Sequence, residues 1–458
     1  MLPVVAILGR PNVGKSTLFN RLIGERKALV DDRPGVTRDR NHGTGFLGER
    51  EMVFIDTGGL DPEPGDDLFA AIRVQAEAAI AEADLVLFVV DRQAGLTPAD
   101  KLAADLLRRW VQSAKGEEKG RIILLVNKCD GPRHDEEGAE FWALGIEPLL
   151  TISAEHGRGL YELEEAVLAR LPEPSEDVGQ DDEDEIRVAV IGRPNIGKST
   201  LVNRLIGEER HVVHDAPGTT TDAIDSVIKV GGQTLRIVDT AGVRRKSRID
   251  DRVETFATAR AIRTIERCHV TLLMIDGVEG VTGQDAKLAQ LVHERGRAAI
   301  IVINKWDLVQ KMPDRHSGVL EDELKRRLPH LDWAPVLYIS ARTGKGCGHI
   351  LNLIAEVFQN FNLRVPTSPL NDFLERATTQ NPPPQRQQHP VKLNYITQHR
   401  VRPPSFIAWS NTPEGITTSY LRYLENQMRA AFGFQGSPIR IELRKKRKPG
   451  EPKGGSEP

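Results

Sequence analysis

The stretch GRPNVGKST runs from Gly9 to Thr17 and returns as GRPNIGKST from Gly192 to Thr200. Each copy follows a short apolar run and fits the pattern G-x-x-x-x-G-K-[ST] of a loop that joins a strand to a helix. Its glycines let backbone N–H groups turn toward phosphate oxygens, at a helix N-terminus that already favours anions. The repeat therefore predicts two phosphate-binding loops 183 residues apart.

The residue types inside both loops predict roles for their side chains. We expect the amino groups of Lys15 and Lys198 to reach the β- and γ-phosphates of a nucleotide. The hydroxyls of Ser16 and Ser199 are expected to bind Mg²⁺. The other loop residues expected to contact the nucleotide are Gly9, Asn12, Gly14, Thr17, Gly192, Asn195, Gly197 and Thr200.

A second pair of motifs, each at the end of an apolar run, predicts that the base is guanine. NKCD spans 127–130 and NKWD spans 304–307. The final Asp of each can accept both N1–H and the exocyclic amine of guanine, and adenine offers neither in that geometry. The Asn is expected to bond the base edge, and the Lys stem to lie along the ring. The residues predicted to contact the base are Asn127, Lys128, Asp130, Ser153, Ala154, Asn304, Lys305, Asp307, Ser340 and Ala341.

Two further pairs of motifs predict segments that sense the γ-phosphate. DTGG ends one strand and DTAG ends its repeat, so Asp56 and Asp239 are expected to hold Mg²⁺ through water. Upstream, Thr37 and Thr220 are positioned to ligate Mg²⁺ only when GTP is bound, which couples the order of that segment to the nucleotide. With the loop lysines and the N–H groups of the motif glycines, the predicted catalytic residues are Lys15, Thr37, Gly59, Lys198, Thr220 and Gly242.

One residue of the Ras-like machinery is replaced in both copies. Leu60 and Val243 stand where Ras-like enzymes carry the Gln that orients the attacking water. Because an aliphatic side chain cannot do this, we expect slow intrinsic hydrolysis unless another group or an ion supplies the missing charge. A GTP-regulated scaffold with little turnover is the alternative, although both sets of Lys, Ser, Thr and Asp are complete.

The alternation of short apolar runs and helical stretches predicts two α/β P-loop GTPase domains, each with a mainly parallel sheet and helices on both faces. We assign them to residues 1–171 and 186–359. The segment 172–185, PEPSEDVGQDDEDE, is almost without apolar residues and is predicted to be an acidic linker. The strands are expected at 2–8, 52–56, 85–91 and 122–127, and again at 187–191, 235–239, 270–276 and 298–304.

The pattern changes from residue 360 onward and predicts a smaller domain over 360–445, followed by a basic, disordered tail at 446–458. The expected order is a helix at 369–379, strands at 391–398 and 406–410, a helix at 418–432 and a strand at 439–443. In the second helix, Tyr420, Leu421, Leu424, Met428 and Phe432 lie close to one face. The order α-β-β-α-β predicts an α/β domain packed on one face of its sheet.

The chain resembles the Der (EngA) family of bacterial tandem GTPases over nearly its whole length. The resemblance rests on both GTPase units, the acidic linker, and the C-terminal runs YLEN at 423–426, AFGF at 431–434 and PIRI at 438–441. It implies that the C-terminal domain is KH-like. It also implies a factor for assembly of the large (50S) ribosomal subunit that binds this subunit and its rRNA according to the bound nucleotide.

The resemblance also has implications for cofactors, which are GTP or GDP, Mg²⁺ and K⁺. GTPases with a hydrophobic residue in place of the Gln often use K⁺ where others use an arginine finger, and Asn12 and Asn195 match the K⁺-ligating position. The second unit departs from the family, which usually has Arg after the switch threonine. Arg38 fits that pattern, but Thr221 does not, so the role of this Arg is open in the second domain.

The C-terminal region is basic in an otherwise acidic chain. From Asn360 onward there are 15 Lys and Arg and 7 Asp and Glu, a formal charge of +8, whereas the whole chain carries −3. This asymmetry predicts contact with a polyanion, with 444–448 binding phosphates without sequence specificity. A solvated charged tail is the alternative. No G-x-x-G loop of a standard KH domain lies between the predicted elements, which favours backbone contact or protein packing over base-specific reading.

Composition predicts a cytoplasmic protein without stable membrane insertion. The three cysteines fit neither a disulfide framework nor a zinc pattern, which favours a reducing compartment. The first apolar run leads directly into the phosphate loop and is predicted to be a strand, not a signal. No apolar stretch is long enough to cross a bilayer. A GTPase coupled to RNA modification is a further alternative, although no additional catalytic domain or cysteine cluster is found.

Overall fold

The computed structural model describes residues 2–24, 42–57, 73, 76–77, 83–113, 121–131, 133–134, 138–171, 185–208, 225–230, 233–238, 254–384 and 390–445. They group into two compact units. The first unit lies within residues 1–180 and 247–263, and the second lies within 181–246 and 264–458. The second unit therefore contains both the second phosphate loop and the smaller C-terminal domain.

The first unit is built around a six-stranded sheet with the order β2-β3-β1-β4-β5-β6. Its strands are β1 (Val4–Leu8), β2 (His42–Leu47), β3 (Arg50–Asp56), β4 (Leu85–Asp91), β5 (Ile122–Asn127) and β6 (Leu149–Thr151). Its helices are α1 (Lys15–Gly24), α2 (Pro98–Ser113) and α3 (Leu160–Leu168). Only the β2–β3 pair is antiparallel. All side chains of β1, β4 and β5 are buried, so both faces of the sheet are covered.

The second sheet repeats this topology, with the order β12-β11-β10-β7-β9-β8. Its strands are β7 (Glu185–Ile191), β8 (Ser226–Val230), β9 (Gln233–Val238), β10 (Val270–Asp276), β11 (Ala298–Asn304) and β12 (Val336–Tyr338). Helix α4 (Lys198–Glu208) follows the phosphate loop, and α5 (Glu254–Arg267) is divided, because its residues up to 263 group with the first unit. The remaining helices are α6 (Gly283–Glu294), α7 (Trp306–Val309), α8 (Ser317–Arg327) and α9 (Ile350–Phe361). Side chains of α4 and α9 share one core with the strands. The predicted pair of α/β domains is confirmed.

Most predicted strands agree with the structure to within two residues, and the four central strands β4, β5, β10 and β11 agree residue for residue. Residue 185, the last of the predicted linker, is the first residue of β7. Sequence analysis gave no bounds for the edge strands β2, β6, β8 and β12, although strands were expected before Ser153 and Ser340. Two of them are three residues long, and β2 has the sequence HGTGFL, whose two glycines interrupt the apolar pattern.

The C-terminal domain has the predicted order of elements. Helix α10 (Thr367–Gln380) precedes β13 (Leu393–Arg400) and β14 (Ser405–Ser410), and helix α11 (Thr418–Phe432) precedes β15 (Arg440–Lys445). The sheet has the order β13-β14-β15, with β13 antiparallel and β15 parallel to β14. Both helices contribute to one core with the strands. Within α11, Tyr420, Leu424 and Met428 are buried, and Leu421 and Phe432 pack against the same core.

Within the second unit, the C-terminal domain joins the second nucleotide-binding domain through hydrogen bonds to backbone carbonyls. The loop after α11 brings Gly436 to the start of β11, where the N–H of Ala299 donates to its carbonyl at 2.8 Å. The N–H of Gly436 donates to the carbonyl of Trp333 at 3.0 Å. The guanidinium of Arg440 donates to the carbonyl of Glu294 at 2.7 Å. These bonds connect the two domains at the end of the sheet opposite the phosphate loop.

All three cysteines, Cys129, Cys268 and Cys347, are free thiols and buried. The Sγ of Cys129 lies 3.5 Å from the carbonyl oxygen of Val126, inside the packed end of β5. In the part of the chain that the structure describes, no helix is long and apolar enough to cross a membrane.

Candidate guanine-nucleotide sites

The first phosphate loop forms at the carboxyl end of β1 and leads into α1. Its turn needs a left-handed backbone at Asn12 (φ 65°) and Gly14 (φ 96°), and these are residue types that tolerate this region. The ammonium of Lys15 curls back over the loop, donating to the carbonyl oxygens of Gly9 at 2.8 Å and Arg10 at 2.9 Å. Lys15 is 3% exposed, so its charge is held at the centre of the loop.

The second phosphate loop has the same geometry. Asn195 (φ 61°) and Gly197 (φ 101°) are again left-handed. The ammonium of Lys198 donates to the carbonyl oxygens of Gly192 at 2.7 Å and Arg193 at 2.5 Å. Burial lowers the pKa of Lys198 to about 8, because carbonyl dipoles only partly replace the lost water. Anionic phosphates would restore the charged form.

Two predicted Mg²⁺ ligands of the first domain lie side by side. The hydroxyl of Ser16, in the first turn of α1, donates to Oδ2 of Asp56 at 2.6 Å. Asp56 ends β3 and is 2% exposed. The next residue, Thr57, donates its hydroxyl to the carbonyl of Ile7 at 2.8 Å and so fixes β3 against β1. A hydroxyl and a carboxylate at hydrogen-bond distance are hard oxygen ligands that fit Mg²⁺.

The side chain of Asn127 connects the phosphate loop to the guanine-reading segments. Its Nδ2 donates to the carbonyl of Val13 at 2.8 Å, and its Oδ1 accepts from the N–H of Ala154 at 2.9 Å. Asn304 repeats both bonds, to Ile196 at 2.6 Å and from Ala341 at 2.9 Å. The sequence did not predict this bridging role. An amide nitrogen carries two hydrogens, so a bond to the base edge stays compatible with it.

The carboxylate that the sequence predicts to bind guanine in the first domain, Asp130, is oriented by a serine. Oδ1 of Asp130 accepts from the hydroxyl of Ser153 at 2.7 Å. Lys128 has a left-handed backbone (φ 68°), and its ammonium lies 2.7 Å from Oδ2 of Asp91 at the end of β4. This ion pair holds the stem of Lys128 along the edge of the site, where the ring of the base is expected.

The corresponding carboxylate of the second domain has an additional partner. Oδ2 of Asp307 accepts from the guanidinium of Arg342 at 2.8 Å. A hydrogen bond from Ser340 and this guanidinium hold the pKa of Asp307 below its ordinary value. The ammonium of Lys305 pairs with Asp276, repeating the pair in the first domain. The second domain therefore favours the ionised form of Asp307, the residue predicted to bind the base.

Two arginines that the sequence analysis did not identify support the loops at 153–155 and 340–342, which are predicted to bind guanine. Arg21 on α1 donates to the carbonyls of Ala154 at 2.7 Å and Glu155 at 2.5 Å. Arg204 on α4 donates to the carbonyls of Ala341 at 2.9 Å and Arg342 at 2.8 Å. Thr17, Arg21 and Ala154 line a cavity of about 360 Å³ beside α1. The repeat spacing of 183 also relates Arg21 to Arg204 and was the available signal.

Each domain thus brings its phosphate loop and its guanine-reading residues to one edge of a sheet. Thr200, like Thr17, is exposed in the first turn of its helix. The predicted switch residues lie outside the described residues; these are Thr37, Arg38, Gly59, Leu60, Thr220, Thr221, Asp239, Gly242 and Val243.

Comparison with protein families agrees with this geometry. A family model described as "50S ribosome-binding GTPase" matches residues 4–128 and again 187–305, which together are more than half of the chain. A second model, described as the KH-domain-like C-terminal domain of EngA bacterial GTPase enzymes, matches residues 364–444. The predicted KH-like domain is confirmed.

Relatives match along nearly the full length. The chain is 46% identical to the GTPase Der of Symbiobacterium thermophilum over 98% of this chain and 93% of that protein. It is 46% identical to the GTPase Der of Halalkalibacterium halodurans over 97% of this chain and 99% of that protein. The chain therefore belongs to the Der family of tandem GTPases, and it is a GTP-binding GTP hydrolase.

Solved structures give weaker similarity. A crystal structure of Era in complex with MgGDPNP and nucleotides 1506–1542 of 16S ribosomal RNA is 22% identical, covers 58% of this chain and 94% of that chain, and has a TM-score of 0.29. The G domain of T. maritima FeoB is 27% identical, covers 37% of this chain and 99% of that chain, and has a TM-score of 0.25.

Proposed function

We propose that this GTPase assists assembly of the large (50S) ribosomal subunit, binding it and its rRNA according to the nucleotide in its two sites. The observation that carries the proposal is the occurrence, in one chain, of a basic KH-like domain and two phosphate loops of the same geometry, each joined to its guanine loop by an Asn side chain. The description of the matching family as ribosome-binding supports the same partner. Hydrolysis would then change the affinity for the subunit.

We assign the nucleotide contacts as follows. Lys15 and Lys198 exchange their loop carbonyls for the β- and γ-phosphates, which offer full negative charge. Ser16 would bind Mg²⁺ directly and Asp56 would hold it through water, and the ion would neutralise charge on the phosphate oxygens. Ser199 and Asp239 do the same in the second domain. Asp130 and Asp307 accept from guanine, while Ala154 and Ala341 present N–H groups near its oxygen.

The switch mechanism involves residues at the γ-phosphate edge of each site. Thr37 and Thr220 ligate Mg²⁺ only in the GTP state, and Gly59 and Gly242 donate their N–H to the γ-phosphate. Loss of that phosphate on hydrolysis releases both contacts, so each segment has two arrangements. Asp56, whose bond to Ser16 fixes it next to the phosphate loop, supports this assignment.

We further propose that K⁺ takes part in hydrolysis at both sites. Neither Leu60 nor Val243 can orient water, and no side chain at those positions supplies positive charge. Asn12 and Asn195 are exposed and left-handed, so each amide is available to a cation at the rim of its phosphate loop. Turnover should be faster in K⁺ than in Na⁺, and Asn12→Gly, which keeps the backbone conformation, should lose that stimulation in the first domain. Equal turnover in both salts would contradict a role for K⁺.

The domain boundaries that we propose are 1–171, 186–359 and 360–445, with the linker at 172–185 and the tail at 446–458.

Three buried free thiols support a reducing compartment, and we propose a cytoplasmic location.

Co-sedimentation with purified 50S subunits tests the assembly role. The full chain is incubated with GDP or with a non-hydrolysable GTP analogue and pelleted through a sucrose cushion. We expect different pelleting in the two nucleotide states. Lys15→Ala and Lys198→Ala should each reduce the difference, whereas Lys101→Ala on exposed α2 surface should not. Absence of pelleting in both nucleotide states would refute the 50S subunit as the partner, without contradicting the assignment as a GTPase.

A further inference from the structure

One row of residues crosses the outer face of the C-terminal sheet. The register pairs Tyr395 of β13 with Trp409 of β14, and Trp409 with Arg444 of β15. The opposite face of the same strands supplies core residues such as Ile396 and Phe406. Because side chains alternate along a strand, the row therefore points away from the two helices.

The two rings of this row are in contact and open to solvent. Their centroids are 5.4 Å apart with an interplanar angle of 49°. Tyr395 is 43% exposed, and Trp409 is partly buried. Further along the same face, Ile407 is only 7% exposed, and Arg440 donates to the carbonyl of Glu294 in the neighbouring domain. The aromatic row is therefore an accessible part of the outer face, whereas the side chain of Ile407 is covered.

Positive charge accompanies the rings. Arg444 is next to Trp409, and its guanidinium forms an ion pair with Glu442 at 2.8 Å, with both side chains about half exposed. His399 also lies close enough to Glu442 to help lower the pKa of that carboxyl, after the larger effect of Arg444. An ion pair this exposed is weak, so the guanidinium can turn to a stronger anion. Over the described parts of this domain, ten Lys and Arg stand against five carboxylates.

We propose that the row of Tyr395, Trp409 and Arg444 is a stacking platform for single-stranded RNA. Exposed aromatic faces beside a cation are what proteins use to bind unpaired bases without sequence preference, because every base has a π-face. Arg444 would contact the neighbouring phosphate. The platform rests on the proposed rRNA partner and adds the class of RNA: unpaired nucleotides, held by stacking rather than by reading of base edges.

A protein partner is the competing occupant, since Tyr, Trp and Arg are also enriched at the centres of protein interfaces. The charge of the domain favours RNA. An excess of cations on the domain attracts a polyanion at long range, whereas a protein contact has no need of it.

The test uses the full chain saturated with GDP and a fluorescein-labelled single-stranded RNA decamer in anisotropy titrations. Tyr395→Leu keeps apolar bulk but removes the ring, and we expect its Kd to rise roughly fivefold or more. Tyr395→Phe keeps the ring and should bind like the unsubstituted chain. Tyr161→Leu is the matched control, because Tyr161 is 69% exposed on the first GTPase domain.

Further titrations distinguish the contribution of base stacking to RNA affinity from that of charge. Decamers of uridine and of adenosine should both lose affinity with Tyr395→Leu, and a duplex of the same length should bind weakly in every variant. Arg444→Ala should reduce the slope of log Kd against log salt by about one, whereas Tyr395→Leu leaves that slope unchanged.

Three outcomes would overturn the platform: equal affinity of Tyr395→Leu, equal loss with Tyr395→Phe, or preference for duplex. Normal RNA binding combined with loss of 50S pelleting in Tyr395→Leu would also overturn it and identify the row as a protein contact. The assembly role fails separately, when the unsubstituted chain does not pellet with 50S subunits at all.

Discussion

The side-chain amide of Asn127 lies directly over the α-carbon of Gly14. A Cβ at Gly14 would come well within 3.0 Å of Nδ2 of Asn127, a separation that real side chains do not adopt. The same relationship joins Gly197 to Asn304 in the second domain. Because each Asn also binds the carbonyl before the glycine and the N–H of the guanine loop, the phosphate and base halves of each site are one assembly.

Gly14→Ala is expected to abolish nucleotide binding in the first domain while the second still binds. The substitution forces Asn127 away and also places a Cβ on a backbone with φ 96°, which is a rare conformation for Ala. Fluorescent GDP titration should give one bound nucleotide per chain instead of two. Gly24→Ala is the control, since a Cβ there meets nothing within 4 Å. Two tight sites in Gly14→Ala would contradict the proposed assembly.

Lys15→Ala and Lys198→Ala should each remove one bound nucleotide. The phosphates then face the loop without its buried ammonium, and loss of a charge-assisted contact of this kind costs about 1.5–3 kcal/mol, which is roughly tenfold to a hundredfold in Kd. Stoichiometry from equilibrium dialysis at a fixed GDP concentration measures this. Lys101→Ala changes an exposed lysine and should retain two sites. If either loop variant still holds two nucleotides at that concentration, the assignment of its lysine is wrong.

Nucleotide binding to the second domain should take up protons near pH 8. The pKa of Lys198 is about 8 in the nucleotide-free protein because of burial, so the amine is about half protonated at that pH. Phosphates favour the ammonium and raise its pKa, so binding draws about half a proton from the buffer at pH 8. Affinity should therefore fall as pH rises from 8 toward 10.5, the ordinary lysine value.

Isothermal titration of GDP in two buffers of different ionisation enthalpy measures that uptake. The Lys15→Ala variant isolates the second domain, because only its site remains. A heat of binding that is independent of the buffer at pH 8 would show that Lys198 is already fully charged without nucleotide.

The elements of this fold that were predicted correctly are those whose hydrophobic pattern in the sequence matches their burial in the folded protein. Strands β5 and β11 consist almost wholly of apolar residues because the sheet is covered on both faces, and their ends were predicted residue for residue. The antiparallel edge strand β8, SVIKV, was missed because its five residues are too few for a clear period, with polar residues only at the first and fourth positions. Its pairing with β9 arises only in the folded sheet.

The candidate site shows the same division. Loop residues such as Lys15 and Ser16 follow from a local pattern, since their chemistry depends on neighbours in sequence. The role of Arg21 could not be predicted from a local pattern, because an arginine on an amphipathic helix usually faces solvent. Its carbonyl partners are 133 and 134 residues away in the sequence. The two hydrogen bonds of the Asn127 side chain likewise depend on segments that only the folded sheet brings together.

Gly436 is tightly packed between the second nucleotide-binding domain and the KH-like domain, and its substitution makes a last prediction. A Cβ there would collide with the side chain of Val357 on α9, on a backbone with φ 75°. We expect Gly436→Ala to lower the local opening free energy by about 2–4 kcal/mol, from the clash and the left-handed backbone together.

Hydrogen exchange of the amides of Ala299 and Gly436 measures this opening, because both donate in bonds across that junction. Val357→Ala removes the two methyl groups that a Cβ would meet first, so in that background Gly436→Ala should cost only the backbone strain, about 1–2 kcal/mol. A coupling free energy near zero in this double-mutant cycle would mean that the loop moves aside, and that the junction is held by its backbone bonds alone.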